Sequence, residues 1–201
     1  MIAIIDYDAG NLRSVEKAFV YLGQEVIVTR NKETILNADK VVLPGVGAFK
    51  EAMEKLHKYD LVDTIKEVVR QKKPFLGICL GLQLLFDYSE EGEGERGLGI
   101  LPGKILRIPD KKGLKIPHIG WNDIEIKEDC PIFKELKQHS YVYFVHSYYL
   151  KAEVESDVAA TTHYSTLIHA AIQHENVFAC QFHPEKSGEV GLHILRNFAN
   201  L

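Results

Sequence analysis

The stretch Pro74–Phe86, PFLGICLGLQLLF, sets a cysteine between two glycines where one apolar run gives way to another. Phe75 to Ile78 read as a short buried strand, and the LGLQLLFDYS that follows Cys79 reads as a helix. Gly77 and Gly81, two positions either side of Cys79, ask for a sharp turn crowded by neighbouring backbone. The plainer alternative is an inert core thiol, an ordinary place for a free cysteine.

The same alternation of strand and helix repeats outward from this seam. IAIID (Ile2–Asp6) is a β-branched apolar run, and Asn11 is placed to cap a helix with apolar face Leu12, Val15, Phe19 and Leu22 and a stop at Gly23. EVIVT and KVVLPG are two further strands, and a helical stretch then reaches about Arg70, interrupted near Tyr59-Asp60. Strands separated by helices make a mostly parallel sheet covered on both faces. The second half changes character. KILRI, NDIEI, YVYFVHSYYL, VAATTHY, LIHAAIQ and VFACQF are strand-like with short turns between them, so antiparallel strands are expected there. SGEVGLHILRNFANL closes the chain as an amphipathic helix capped by Ser187, and EEGEGERG (Glu90–Gly97) is a flexible acidic loop. No repeat or long linker divides residues 1–201, so one α/β domain is expected.

With 46% hydrophobic and 26% charged residues the chain has the balance of a soluble globular protein. Its net charge of −4 gives no reason to expect nucleic acid or an anionic membrane surface. No apolar run approaches the ~20 residues of a membrane span, and the start lacks a leader pattern. Cys79, Cys130 and Cys180 are odd in number and far apart, which argues against a disulfide framework or a zinc cluster and fits the cytoplasm.

Cys79 at the carboxyl end of a parallel strand stands where open α/β sheets bind their ligands. Gly-x-Cys-x-Gly matches the layout of a nucleophile elbow, in which the turn exposes the side chain. A helix starting at Leu80 would favour the thiolate, and the Leu80 N–H would face an oxyanion. A nucleophilic cysteine also needs a base, and the base an orienting group. CQFHPEKS supplies both: a strand ends at His183, and Glu185, two residues on, can hold the imidazole. A surface turn with a solvated Glu is the alternative for that segment. LPGVGAF (Leu43–Phe49) is a glycine-rich turn after a strand, and it offers a second oxyanion donor near Val46. No Gly-Lys-Ser/Thr follows it, so a Walker phosphate loop is not indicated.

These segments together resemble the class I glutamine amidotransferases, which carry Gly-x-Cys-x-Gly-x-Gln and a later His-Pro-Glu. Within that class, DYDAGNLRSVEKAF, LPGVGAF, PHIGWN (Pro117–Asn122), YFVHSYY (Tyr143–Tyr149) and QFHPEKS resemble the branch serving imidazole glycerol phosphate synthesis in histidine biosynthesis. The resemblance spans nearly the whole chain and implies a flavodoxin-like core. It also implies hydrolysis of glutamine to glutamate and ammonia by a triad of Cys79, His183 and Glu185, with no cofactor and no metal. Gln83, Gly47, Glu91, Ser147 and Tyr148 are implied as glutamine contacts, although the register of Glu91 in its loop is open. The implied partner is a (β/α)8-barrel cyclase, too large to fit in this chain. Trp121, Asn122, Tyr143 and Lys186 are the residues expected to dock it, with aromatic core packing as the alternative. His118 and His146 have no evident chemical role, and Cys130 and Cys180 are expected to be inert.

Three rivals remain at this level. Glutaminases feeding purine, pyridoxal phosphate or anthranilate synthesis share the triad but not the PGVG and PHIGWN combination. A non-catalytic regulatory subunit has no reason to keep all three triad groups. A cysteine peptidase or γ-glutamyl hydrolase would use the same elbow without the docking motifs.

Overall fold

The computed structural model describes residues 1–8 and 10–201; Ala9, within the DAGN stretch, lies outside the described residues. The first half alternates as the sequence pattern requires. Strands β1 (Ile2–Ile5), β2 (Val26–Thr29), β3 (Lys40–Gly45) and β4 (Phe75–Cys79) are separated by helices α1 (Leu12–Tyr21), α2 (Lys32–Asn37), α3 (Phe49–Lys58) and α4 (Val62–Arg70). α5 (Leu80–Leu84) follows Cys79 directly. The second half holds β5 (Tyr88–Ser89), β6 (Glu95–Arg96), β7 (Gly103–Arg107), β8 (His118–Ile126), β9 (Ser140–His146), β10 (Tyr148–Ala152), β11 (Val158–Tyr164), β12 (Thr166–His174) and β13 (Val177–Cys180). Helix α6 (Gly188–Ala199) ends the fold.

Nine strands form one mixed sheet in the order β2-β1-β3-β4-β13-β12-β11-β8-β9. From β2 to β13 the pairing is parallel, and beyond β13 it is antiparallel. A smaller sheet, β10-β7-β5-β6, lies apart from it. Successive residues of a strand face opposite sides. Ile2 and Ile4 therefore pack with Phe19 of α1 and Phe198 of α6, while Ala3 and Ile5 pack with Leu56 of α3 and Ile65 of α4. Both sides are covered, which is why these strands are continuous apolar runs.

Five local expectations are corrected. Asn11 does not cap α1: its backbone is left-handed, with φ 70°, and its side chain points elsewhere. Ser187 stands at the N-cap position of α6, but its hydroxyl donates to the His183 carbonyl at 2.6 Å and accepts from the Tyr143 N–H at 3.0 Å. The helix after Cys79 stops at Leu84 and does not reach Ser89, because the Leu84 and Leu85 carbonyls accept from Leu98 and Ile100. YVYFVHSYYL is two strands, broken at Ser147, and they belong to different sheets. The acidic loop is folded back as the β5–β6 ribbon. Helix α2, too short to show a period, escapes the sequence reading; Asn31 Oδ1 accepts from the Thr34 N–H at 2.9 Å to start it.

Candidate active site

Cys79 ends β4 with φ 54° and ψ −107°, a conformation that an L-residue holds only when its surroundings enforce it. The enforcement comes from glycines. A Cβ on Gly81 would lie 1.8 Å from the Leu43 carbonyl oxygen, and one on Gly77 would lie 2.8 Å from that of Gly81. Only bare backbone lets β3, β4 and α5 meet this closely. Cys79 is 6% exposed and opens onto a cavity of about 520 Å³. α5 has only five residues, and the titratable side chain beside the sulfur is His183.

β13 runs parallel to β4, with Cys180 opposite Ile78, and this pairing carries the chain to His183 beside the elbow. The His183 backbone is held at both ends, its N–H donating to the Tyr143 carbonyl at 2.9 Å and its carbonyl accepting from Ser187. Pro184–Lys186 form a single 3-10 turn that brings Glu185 round. Imidazole Nδ1 donates to Glu185 Oε1 over 2.7 Å, with both side chains almost wholly buried. That bond fixes the ring and leaves Nε2 without a hydrogen-bond partner among the described residues. Burial alone would lower the imidazole pKa, but interaction with the Cys79 sulfur and with Glu185 outweighs it and raises His183 to about 9.

Glu185 has an orienting partner that the sequence reading missed. Asn11 Nδ2 donates to Glu185 Oε1 over 2.5 Å, from the turn that precedes α1. Arg30 anchors this turn through Asp6 at 2.8 Å and Asp8 at 2.6 Å, and Tyr59 also bonds Asp8. The left-handed backbone of Asn11, read from sequence as a cap, is what aims its amide at the triad.

The cavity gathers most of the residues singled out above. Val46, Gly47, Leu80 and Gln83 line it beside Cys79, and Glu91, Ser147 and Tyr148 line it from the smaller sheet's side. Glu91 is fixed in register, since its Oε2 accepts from the N–H of Phe49, the first residue of α3. Gln83 is 5% exposed and its Nε2 donates to the Tyr148 carbonyl at 3.0 Å and to Gln181 Oε1 at 2.9 Å. It therefore braces the cavity wall through its amide N–H groups. Asn11, Pro117, Val145 and His146 also line the cavity and were not anticipated there. Gln181, buried beneath Cys79, was missed as well.

Of the four docking candidates, Lys186 lines the cavity, whereas Trp121, Asn122 and Tyr143 lie outside it. Trp121 and Tyr143 are opposed across β8 and β9, their rings 6.1 Å apart. Ile119, Trp121 and Tyr141 are 59%, 54% and 58% exposed on that ribbon, so aromatic core packing does not describe this face. His118 and His146 are buried: burial holds them neutral, lowering their pKa values to about 4 and about 3. Burial raises the Cys130 thiol to about 11 and the Cys180 thiol well above its usual value. Among the described residues no helix is long and apolar enough to cross a membrane.

The model of the glutamine amidotransferase class-I family matches residues 3–201. The imidazole glycerol phosphate synthase subunit HisH of Methanocaldococcus jannaschii is 50% identical over 201 residues, covering 100% of both chains. The subunit of the same name from Caldanaerobacter subterraneus is 51% identical and covers 100% of this chain and 98% of that one. A crystal structure described as a glutamine amidotransferase superposes with TM-score 0.76 at 20% identity, over 100% of both chains. PurLQS from Thermotoga maritima superposes with TM-score 0.72 at 16% identity, over 99% of this chain and 97% of that chain. At such identities the two structures speak for the fold.

Proposed function

The chain belongs to the class I glutamine amidotransferases, in their HisH branch of imidazole glycerol phosphate synthase subunits, and from that premise we propose how its residues work. It is a glutamine amidotransferase of histidine biosynthesis, and the observation that carries the mechanism is Cys79 on the cavity wall with the buried His183–Glu185 pair beside it. Sγ of Cys79 attacks the side-chain amide carbon of glutamine. The N–H groups of Leu80 and Val46 meet the resulting oxyanion. His183 gives its Nε2 proton to the amide nitrogen, ammonia leaves, and a glutamyl thioester remains. The now neutral His183 takes a proton from water, the hydroxide adds to the thioester carbon, and glutamate departs with the thiolate restored. Glu185, braced by Asn11, keeps the imidazole in register throughout. Gly47, Gln83, Glu91, Ser147 and Tyr148 frame the glutamine, Gln83 by bracing the wall.

We infer that the ammonia passes to a separate (β/α)8-barrel cyclase, which makes imidazole glycerol phosphate and aminoimidazole carboxamide ribotide. The exposed ribbon of Trp121, with Asn122 and Tyr143, supports a docking face for it, and Lys186 lines the cavity. Three free cysteines support a reducing, cytoplasmic setting, and the sheet-spanning core supports a single domain.

The test is Cys79→Ala in the assembled synthase. Glutamine-dependent synthesis is expected to vanish while synthesis from ammonium salts persists. A glutamine-like diazo-ketone is expected to label Cys79 and spare Cys130 and Cys180. Loss of both syntheses in an intact complex, or label on either other cysteine, would refute this division of labour.

A further inference from the structure

One backbone carbonyl dictates the orientation of a buried series of amides. The Tyr148 oxygen can only accept, and both His146 Nδ1, at 2.8 Å, and Gln83 Nε2, at 3.0 Å, point at it. Both therefore donate. The second N–H of Gln83 goes to Gln181 Oε1 at 2.9 Å, which fixes that atom as the acceptor of its amide. The NH2 group of Gln181 is left facing the Cys79 sulfur, 3.7 Å away. Gln181 is fully buried, and its backbone N–H is tied to the Ala170 carbonyl at 2.8 Å. None of the proton transfers above uses it.

We propose that Gln181 is a positioning residue that holds the Cys79 sulfur as a thiolate, oriented for attack by the Gln83–Tyr148 series behind it. An N–H donor bonds a charged acceptor far better than a neutral one, so this contact favours thiolate over thiol. It also occupies one side of the sulfur and leaves the lone pair on the cavity side for the substrate. The other titratable groups whose charge couples to Cys79 are His183, the Tyr7 phenol, and the Cys180 thiol. Glu185 acts behind His183. Of these only His183 brings positive charge, so Gln181 adds a neutral donor where a second cation would compete with the imidazolium. Because Tyr148 lines the cavity, its peptide joins the substrate wall to the nucleophile through two amides. The proposal rests on Cys79 being the glutaminase nucleophile.

The experiment measures alkylation of Cys79 by iodoacetamide in the full chain, read by mass spectrometry of the Cys79 peptide at pH 7 and pH 10. In Gln181→Met, which keeps the length of the side chain and removes the donor, the rate at pH 7 is expected to fall about tenfold, the effect of one hydrogen bond to a charged acceptor. At pH 10, where the solvent itself removes the proton, the variant is expected to approach the parent. Gln83→Met, which frees the Gln181 amide to turn, is expected to show a smaller loss with the same pH dependence. An unchanged rate at pH 7, or an equal loss at both pH values, would overturn the proposal. Should Gln181→Met fail to fold, Gln83→Met decides by the same two criteria. Glutamine is absent from the assay, so failure here leaves the glutaminase reading standing, and failure of that reading leaves this measurement unaffected.

Discussion

Two walls of the same cavity are built in opposite ways. The wall carrying Cys79 is locked: β3, β4 and α5 approach so closely that Gly81 has no room for a single added carbon. The other wall, Val46-Gly47 just beyond the end of β3, is loose. Gly47 has φ 103° with nothing among the described residues within 4 Å of where a Cβ would stand, and Val46 is 36% exposed. Its close neighbour is the turn before α1, since a Cβ on Gly10 would lie 2.8 Å from the Val46 side chain. The contrast fits two tasks. A nucleophile must be placed once and kept there, whereas an oxyanion donor that can turn away gives a means of control.

The strongest challenge to that contrast is turnover with and without the partner. If the Val46 N–H is brought into line only in the assembled, substrate-bound synthase, the isolated chain should hydrolyse glutamine ~10²–10³ more slowly than the liganded complex, the usual loss for one missing oxyanion donor. Equal steady-state rates would show the second wall to be as fixed as the first. Next in size are paired glycine substitutions. Gly81→Ala sets a carbon against backbone and is expected to destabilise by about 3 kcal/mol. Gly47→Ala meets no atoms and strains only its own backbone, with an expected loss of about 1 kcal/mol. Denaturant titration of the two variants measures the difference, and equal losses would erase the distinction.

A further effect is in pH. The folded pKa of His183 is raised, to about 9, so its contribution to stability is complete below its unfolded value of 6.5 and is lost as pH rises through 9. His118 and His146 work in the other direction. Their folded pKa values are lowered to about 4 and about 3, so their contribution is complete above 6.5 and is lost as pH falls through those values. Denaturation midpoints should therefore decline on both sides of this range. His183→Gln is expected to flatten the alkaline limb alone, which would assign that limb to the locked wall.

Much of this was legible in the sequence because it is local. The apolar runs Ile2–Ile5, Val41–Leu43 and Phe75–Ile78 report two-sided burial directly, and Gly-x-Cys-x-Gly reports an elbow through the backbone that must fit around it. What stayed hidden depends on partners distant along the chain. Asn11 reads as a cap until Glu185, 174 residues on, is seen to take its amide. Gln181 reads as the polar member of an apolar strand until the register of β13 against β4 sets it beside the sulfur. Ser147 gives no sign that one ten-residue run divides between two sheets, because both halves have strand composition. The length of α5 was misjudged for a related reason: the groups that stop it come from residues 98–100.

The backbone of Cys79 is a standing liability for the fold. A non-glycine residue held at φ 54° and ψ −107° typically costs of the order of 1–3 kcal/mol, a large share of the margin by which small proteins stay folded. A glycine in its place would relax that strain and leave a sturdier chain without the thiol proposed to attack glutamine. Selection for robustness alone would remove this thiol, so its presence on a strained hinge of backbone records selection for chemistry against the interest of the scaffold.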